Sequence, residues 1–348
     1  MVSGFFRKGV FTGLLFLSAV LALTGCGGEN SSKGKVSQAA ADNPKNIVVF
    51  IPGVMSGSPI YEMLAEGVTR AAAEQPGVMV LVIEGGFNQA EWEPRVNALA
   101  ASGMYDLIVS SNPSLPAIAQ SVSAQFPEQK FLLLDGELSG NPNIYTLRYN
   151  QWEQAFMAGH IAALVTLATS PGETRRVGLV AAQEYPVMNN TILPGYLAGA
   201  RSVDPAFTAD FRVVGNWFDA GTGANLAADM FRGGTAVILC IAGGANEGVV
   251  QAASEAGAKV VWFDTNGYGI RPGTVVGSSV LYQDKAAYEQ TKRYLAGTLP
   301  FGEAEVVGVA DGFVDFIEDD PHYITAVSPE IRAKQAELIR RIRSGDLH

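Results

Sequence analysis

The stretch "AVILCIAGGANEGVVQAASEAGAKVVWFDT", residues 236–265, contains an apolar run, a small polar loop, a helical segment and a second apolar run that ends at Asp264. The stretch "LIVSSNPSLPAIAQSVSAQFPEQKFLLLDG", residues 107–136, has the same order and ends its second run at Asp135. Continuous apolar runs that alternate with helical segments are typical of parallel strands covered on both faces. The two stretches therefore predict two similar α/β lobes.

The rest of the chain continues this alternation of strands and helices. Strands are predicted at residues 47–51, 78–83, 107–110, 131–134, 177–180, 211–214, 236–240, 260–263 and 275–278. Apolar residues at helical spacing predict helices at residues 61–73, 89–101, 115–125, 151–167, 223–231, 248–256 and 330–342. We expect the first lobe to comprise residues 46–148 and 280–327, the second lobe residues 149–279, and a C-terminal helix residues 328–348.

The N-terminal residues have the pattern of a bacterial export signal. A short basic head precedes an apolar run from Val10 to Leu23, which is shorter than the roughly 20 residues that a membrane span requires. The run leads into Cys26 through a sequence that resembles a lipobox. We predict a signal peptide at residues 1–25, a lipidated Cys26 and a flexible tether at residues 26–45. The alternative is a plain signal peptide followed by a chance cysteine.

Charge and motif content argue against several classes of function. The chain has 348 residues, a formal net charge of −10 and no run of Lys or Arg, which disfavours nucleic acid as a partner. Its histidines, His160, His322 and His348, are scattered, and no spacing typical of a zinc site occurs. The sequence also lacks the glycine motifs of nucleotide-binding proteins and the G-x-S-x-G motif of hydrolases. We therefore predict no catalytic residue, no metal site and no cofactor.

Polar side chains follow several of the predicted strands at the points where the strands end. Asp135 and Asp264 each come directly after an apolar run, and Asn112 and Asn246 follow two other runs. In open parallel sheets, ligands bind outside the carboxyl ends of the strands. These side chains and the loop at residues 52–61 therefore predict a cleft between the lobes that closes on a small molecule by hinge motion.

Aromatic residues near these strand ends indicate the kind of ligand. Each of them alone is explained by core packing, but together beside Asp and Asn they favour a flat heteroaromatic molecule. The aromatic candidates are Tyr61, Trp152, Tyr185, Trp217, Phe218 and Tyr268. A buried carboxylate without hydrogen-bond donors is costly, so Asp135 and Asp264 imply N–H or O–H groups on the ligand. Arg148 and Arg271 are the alternative, as internal partners of the two carboxylates.

The lipobox, the two-lobed order and the segments "GGANEGV" (243–249) and "WFDTNGY" (262–268) resemble the basic-membrane-protein family of substrate-binding lipoproteins. The resemblance covers nearly all of residues 46–346. It implies the type I periplasmic-binding-protein fold and a monomeric, lipid-anchored protein that faces the periplasm or the cell exterior. It also implies a binding component, not an enzyme, that delivers its ligand to the permease of an ABC importer.

The same resemblance implies roles for individual residues. In nucleoside-binding members a second-lobe aromatic ring stacks on the base and an aspartate binds the ribose hydroxyls, and these positions match Phe218 and Asp264. The first-lobe Phe of those members is missing here, where Tyr61 lies instead. Segments such as "YNQWEQAFMAGH" (149–160) and "YPVM" (185–188) are closer to riboflavin-binding members, which implies riboflavin as the ligand and a purine nucleoside as the alternative.

Riboflavin would place its ring between Tyr61 and Phe218 and its ribityl hydroxyls at the two aspartates. The complete set of predicted ligand-binding residues is Tyr61, Asn112, Asp135, Gln151, Trp152, Tyr185, Met188, Phe218, Asn246 and Asp264. Two other classes stay open. An enzyme of flavin or nucleoside metabolism would need a nucleophile–base pair, which is not recognisable, and a sensor or adhesin would need an attached signalling segment.

Overall fold

The computed structural model describes residues 44–170 and 175–346. The predicted signal peptide, the lipidated Cys26 and most of the predicted tether lie outside these residues. None of the helices in the described part combines the length and apolar character that crossing a membrane requires.

The described residues form twelve strands and ten α-helices. The strands are β1 Lys45–Ile51, β2 Val78–Glu84, β3 Leu107–Ser111, β4 Lys130–Leu134, β5 Ile144–Tyr149, β6 Arg176–Ala181, β7 Thr208–Val213, β8 Val237–Ile241, β9 Lys259–Asp264, β10 Val275–Leu281, β11 Ala304–Val307 and β12 Val314–Phe316. The helices are α1 Pro59–Ala73, α2 Trp92–Ala101, α3 Leu115–Gln125, α4 Gln151–Thr169, α5 Leu193–Val203, α6 Ala220–Arg232, α7 Asn246–Ala256, α8 Gln283–Leu295, α9 Pro321–Ala326 and α10 Pro329–Arg343.

The strands form two six-stranded sheets with the same internal order. The first sheet runs β11-β5-β4-β3-β1-β2 and the second runs β12-β10-β9-β8-β6-β7. Neighbouring strands are parallel except β10 and β12. The predicted fold class, two mainly parallel sheets flanked by helices, is confirmed. In each sheet the strand order reverses beside the first strand, and ligands bind at such switch points.

The chain passes between the two sheets at three places, one more than the sequence predicted. It crosses from β5 to α4, from β10 to α8 and from β11 to β12. Backbone hydrogen bonds join the crossings, from Asn150 N–H to the Val307 carbonyl (2.7 Å) and from Tyr282 N–H to the Phe313 carbonyl (2.9 Å). Residues 314–316 were expected in the first lobe, but β12 pairs with β10 of the second sheet. A strand of three residues is too short to leave a periodic pattern in the sequence.

Helix α4 is buried along most of its length in the second lobe and crosses α5 at very close range. Its N-terminus is capped by the Asn150 side chain, which accepts a hydrogen bond from Glu153 N–H (3.3 Å). At the crossing, a Cβ atom added to Gly159 would overlap the Tyr196 carbonyl, and one added to Gly199 would overlap the Phe156 carbonyl. The two backbones approach this closely only because both positions are glycine.

Candidate functional site

Asp135 and Asp264 occupy equivalent positions in the two lobes, at the carboxyl ends of β4 and β9. They are the two residues other than glycine with positive φ in the described part of the chain, at 53° and 70°. The left-handed conformation is tolerated by aspartate but still carries strain, and such strain clusters at functional sites. Both carboxylates are only partly exposed.

The two carboxylates lie close enough to influence each other across the lobes. Burial raises the pKa of Asp135 to about 7, and the negative charge of Asp264 adds to the rise while Arg148 partly offsets it. Burial also raises the pKa of Asp264 to about 6, against a hydrogen bond from Gln154. The Arg148 Nε atom lies 2.9 Å from a Glu137 carboxylate oxygen, so this cation is shared. A ligand that donates hydrogen bonds would relieve both buried charges.

Arg271, the other internal partner considered from the sequence, hydrogen-bonds elsewhere. Its Nη2 donates to Gln251 Oε1 (2.7 Å) on helix α7. Of the two candidate cations, Arg148 is the one that acts on Asp135.

Gln154 is a site residue that the sequence reasoning missed. It is fully buried, and its Nε2 donates to Asp264 Oδ1 (3.0 Å) and to the Ser279 carbonyl (3.1 Å). Its Oε1 finds no hydrogen-bond donor among the described residues. Its position could have indicated this role. It lies three residues after Gln151, in the first turns of the helix that begins where the chain crosses between the lobes.

Tyr61 and Asn112 lie beside Asp135 in the first lobe. The Tyr61 hydroxyl donates to the Pro52 carbonyl (3.2 Å). Burial raises the pKa of Tyr61 to about 12, with Asn112 opposing the rise and Asp135 adding to it. The Asn112 Oδ1 also accepts a hydrogen bond from Ser114 N–H (2.9 Å), which fixes the amide at the end of β3. The structure thus brings these three predicted residues together.

Tyr185 of the second lobe lies near the same two carboxylates. Burial raises the pKa of its hydroxyl well above the ordinary value, and the charges of Asp135 and Asp264 raise it further. Its ring lies 6.4 Å from the ring of Trp217. The Trp217 Nε1 donates to Gln183 Oε1 (3.3 Å), so both aromatic residues are held at the carboxyl end of β6.

Two exposed rings face each other from opposite lobes. Phe87, which follows β2 in the first lobe, is 61% exposed, and Phe218, which precedes α6 in the second lobe, is 67% exposed. Their centroids are 6.4 Å apart with an interplanar angle of 49°. Phe87 was not predicted from the sequence, although the segment "EGGFN" (84–88) places an aromatic ring at a strand end in the same way as the segments that were chosen.

The other predicted residues are already occupied by internal contacts. The Trp152 ring stacks on Phe156 (4.9 Å), and Asn246 Oδ1 accepts from Ala242 N–H (2.8 Å), which holds the loop after β8. Gln151 is almost fully buried at the start of α4. Met188 has no exposed surface and belongs to the hydrophobic core, which argues against the predicted ligand contact. It begins a short π-helical turn that continues into α5 and directs this side chain inward.

Asp320, an acidic residue away from these strand ends, has a structural role. Asp320 Oδ1 caps α9 by accepting from His322 N–H (2.8 Å), and its other oxygen accepts from Asn266 Nδ2 (3.0 Å). Within residues 44–170 and 175–346, no three His, Cys, Asp or Glu side chains are grouped as a metal ion would need. Recesses of about 460 and 620 Å³ occur on the second lobe and beside α10, but their walls contain none of the predicted ligand-binding residues.

Comparison with known proteins identifies the family to which this chain belongs. The family described as Bmp, ABC transporter substrate-binding protein PnrA-like, matches residues 44–348. The CD4+ T-cell-stimulating antigen of Listeria monocytogenes is 24% identical over 280 residues, which are 75% of this chain and 74% of the relative. The ABC transporter nucleoside-binding protein BmpA of Lactococcus lactis is 24% identical over 250 residues, 71% and 68% of the two chains.

A solved structure shares the fold. The crystal structure of an ABC transporter solute-binding protein from Aeropyrum pernix has a TM-score of 0.76 and 24% sequence identity, and the match covers 87% of this chain and 92% of that one. The chain therefore belongs to the Bmp family and is the substrate-binding component of an ABC transporter, with no enzymatic activity.

Proposed function

We propose that this substrate-binding protein captures riboflavin in the cleft between its lobes and delivers it to the permease of an ABC importer. The observation that carries the proposal is that two exposed rings, and two partly buried carboxylates, are paired between the same two lobes. A flat ring with a chain of hydroxyl groups complements both features, because the ring stacks and the hydroxyls donate. The proposal includes an anchor at Cys26, which holds the protein outside the cytoplasmic membrane.

A neutral ligand suits this cleft better than a phosphorylated one. Asp135 and Asp264 already oppose each other, so a phosphate dianion placed near them would add a further repulsion. Arg148, the cation that acts on Asp135, lies against Glu137 and is partly neutralised. These charges favour riboflavin over its phosphate ester.

A purine nucleoside is the second candidate, because it also joins a flat ring to donor hydroxyls. The Lactococcus relative is described as nucleoside-binding. Calorimetric titration of the purified full-length protein with riboflavin, FMN and inosine separates the candidates. We expect the tightest binding for riboflavin and at least tenfold weaker binding for FMN, a difference of about 1.4 kcal/mol. Tighter binding of inosine than of riboflavin would reverse the choice of ligand.

We expect Asp264→Asn to weaken riboflavin binding about 10- to 100-fold, since a hydrogen bond to a charged group contributes about 1.5–3 kcal/mol. The amide keeps the size of the carboxylate but offers one acceptor oxygen in place of two. Asp229→Asn is the matched control, because Asp229 is exposed on α6 and pairs with Arg232. Equal affinities for the two variants in the same titration would remove Asp264 from the site.

A further inference from the structure

We infer that Phe87, and not Tyr61, forms the first-lobe wall of a ring-binding slot whose second-lobe wall is Phe218. The ligand then lies with its flat ring between these two side chains and its hydroxyl-bearing part towards Asp135 and Asp264. This inference rests on the proposed function and specifies how the ligand is oriented in the site.

Backbone hydrogen bonds fix the turn from which the Phe87 ring projects out of the protein. Gly85 N–H donates to the Ile51 carbonyl (2.7 Å) and Gly86 N–H donates to the Gly53 carbonyl (2.9 Å). The Gly86 carbonyl in turn accepts from Trp92 Nε1 (2.8 Å). A residue that follows such a fixed turn has a defined position even though its side chain is exposed.

Glycine is required at the two positions that form this turn. A Cβ on Gly85 would come within 2.6 Å of the Phe50 ring, and Gly86 has a φ of 69°. The turn therefore directs Phe87 into the cleft through a backbone conformation that other residues adopt poorly. Together with the exposed ring of Phe218 opposite it, Phe87 forms an apolar surface that a ligand can cover.

Phe218 is held by an equally well-defined turn on the opposite lobe. The Asn216 Oδ1 accepts hydrogen bonds from the N–H groups of Phe218 (3.0 Å) and Asp219 (2.8 Å). Asp219 then caps α6 by accepting from Thr222 N–H (2.9 Å). Both rings thus project from turns that are anchored to regular structure, so their spacing depends mainly on the distance between the lobes.

The spacing of the two rings suits the insertion of one flat molecule after a small adjustment. Stacked carbon atoms lie about 3.5 Å apart, so a ring between two others needs about 7 Å between their centroids. Phe87 and Phe218 are 6.4 Å apart and tilted by 49°. A lobe movement of roughly 1 Å, together with rotation of the rings towards parallel, would open the slot.

Tyr61 lies behind this slot. Its hydroxyl is bound to the Pro52 carbonyl, and its ring lies against Gly53, where a Cβ atom would come within 3.0 Å of Tyr61 Cε2 and 3.9 Å of Phe87 Cε1. Gly53 thus leaves space for both rings side by side, with Tyr61 half-buried and Phe87 largely exposed. Tyr61 is then a neighbour of Asp135 that supports Phe87 from the protein side.

The test compares Phe87→Ala, Phe87→Trp and Tyr61→Leu in the full-length protein, with riboflavin as the probe. Calorimetric titration with riboflavin measures the affinity of each variant. We expect at least tenfold weaker binding for Phe87→Ala, near wild-type affinity for Phe87→Trp, and less than threefold weaker binding for Tyr61→Leu. Met104→Ala, which removes another largely exposed first-lobe side chain, is the matched control and should bind like the wild type.

The outcomes separate this inference from the choice of ligand. Because Phe87 is exposed, Phe87→Ala should unfold at the wild-type temperature, so weaker binding reports the site and not the fold. If the wild type binds riboflavin and Phe87→Ala binds it equally well, the slot is wrong while the proposed function stands. If the wild type binds inosine and not riboflavin, the same variants titrated with inosine decide the slot. Absence of binding to both probes would overturn slot and function together.

Discussion

Replacing Gly159 by alanine is expected to lower the free energy of unfolding by more than about 3 kcal/mol, at the upper end of overpacking substitutions. The added Cβ would overlap the carbonyl of Tyr196 on α5. Backbone atoms of a packed helix cannot turn aside as a flexible side chain can, so α4 and α5 would have to separate. That separation would disturb the contacts that α4 makes with the second sheet.

Thermal or urea unfolding of the purified variant measures this effect. With an unfolding entropy of about 2.1 cal/mol/K per residue, a loss of 3 kcal/mol corresponds to a fall in Tm of about 4 °C for a chain of 348 residues. Gly269→Ala is the control, because a Cβ at that exposed position meets no atom within 4 Å. If Gly159→Ala and Gly269→Ala unfold at the same temperature or urea concentration, helices α4 and α5 can separate at a lower cost than their close contact indicates.

Replacing Asp135 and Asp264 together by asparagine is expected to stabilise the ligand-free protein at pH 8 and to have little effect near pH 4. The pKa values of the two carboxyls rise on folding from about 4 to about 7 and about 6. Between about pH 4 and pH 7 the folded protein therefore binds more protons than the unfolded chain. By linkage, the stability of the wild type falls as the pH rises through this window.

The asparagine pair removes this loss because it carries no charge to bury. Each pKa unit is worth about 1.4 kcal/mol, and after discounting for solvent screening we expect a gain of roughly 2–4 kcal/mol at pH 8. The measurement is the difference in Tm between variant and wild type at pH 8 and at pH 4. All other titrating groups are shared by the two proteins. If the Tm difference between variant and wild type is the same at pH 8 and at pH 4, the two carboxylates are not destabilised by burial in their charged form.

We also expect the variant with asparagine at positions 135 and 264 to bind the ligand more weakly than the wild type. A site that gives up stability at neutral pH in order to bind is a known compromise in proteins. The buried carboxylates are costly without a ligand and favourable once donors from the ligand approach them. Under the proposed function, ligand binding is the reason for two aspartates at strand ends where neutral side chains would make the lobes more stable.

Much of the fold could be predicted because strand and helix patterns are local. The apolar runs that became β1, β4 and β9 are short, continuous and bounded by polar or glycine residues. The strands that escaped prediction have mixed composition. Strand β5 contains Tyr145, Thr146 and Arg148 among its apolar residues, and it is buried because it lies between β4 and β11 and not because of its own pattern.

The candidate site was predictable only in part. Asp135 and Asp264 were found because the residue after a buried parallel strand must lie at the carboxyl edge of the sheet. Met188 was chosen from a resemblance between segments, and the helical turn that carries it faces the core. Gln154 was missed because its partner Asp264 is 110 residues away, and no local pattern reports such a pair.

The amino-acid sequence by itself determined two parallel sheets and a polar edge on each, since these follow from the order of neighbouring residues along the chain. Only the tertiary structure decided which groups oppose each other: Asp135 with Asp264, and Phe87 with Phe218. These pairs join different lobes, and their spacing depends on how three chain crossings hold the two sheets. The specificity of the cleft depends on that spacing, because stacking and hydrogen bonding act only at contact distance.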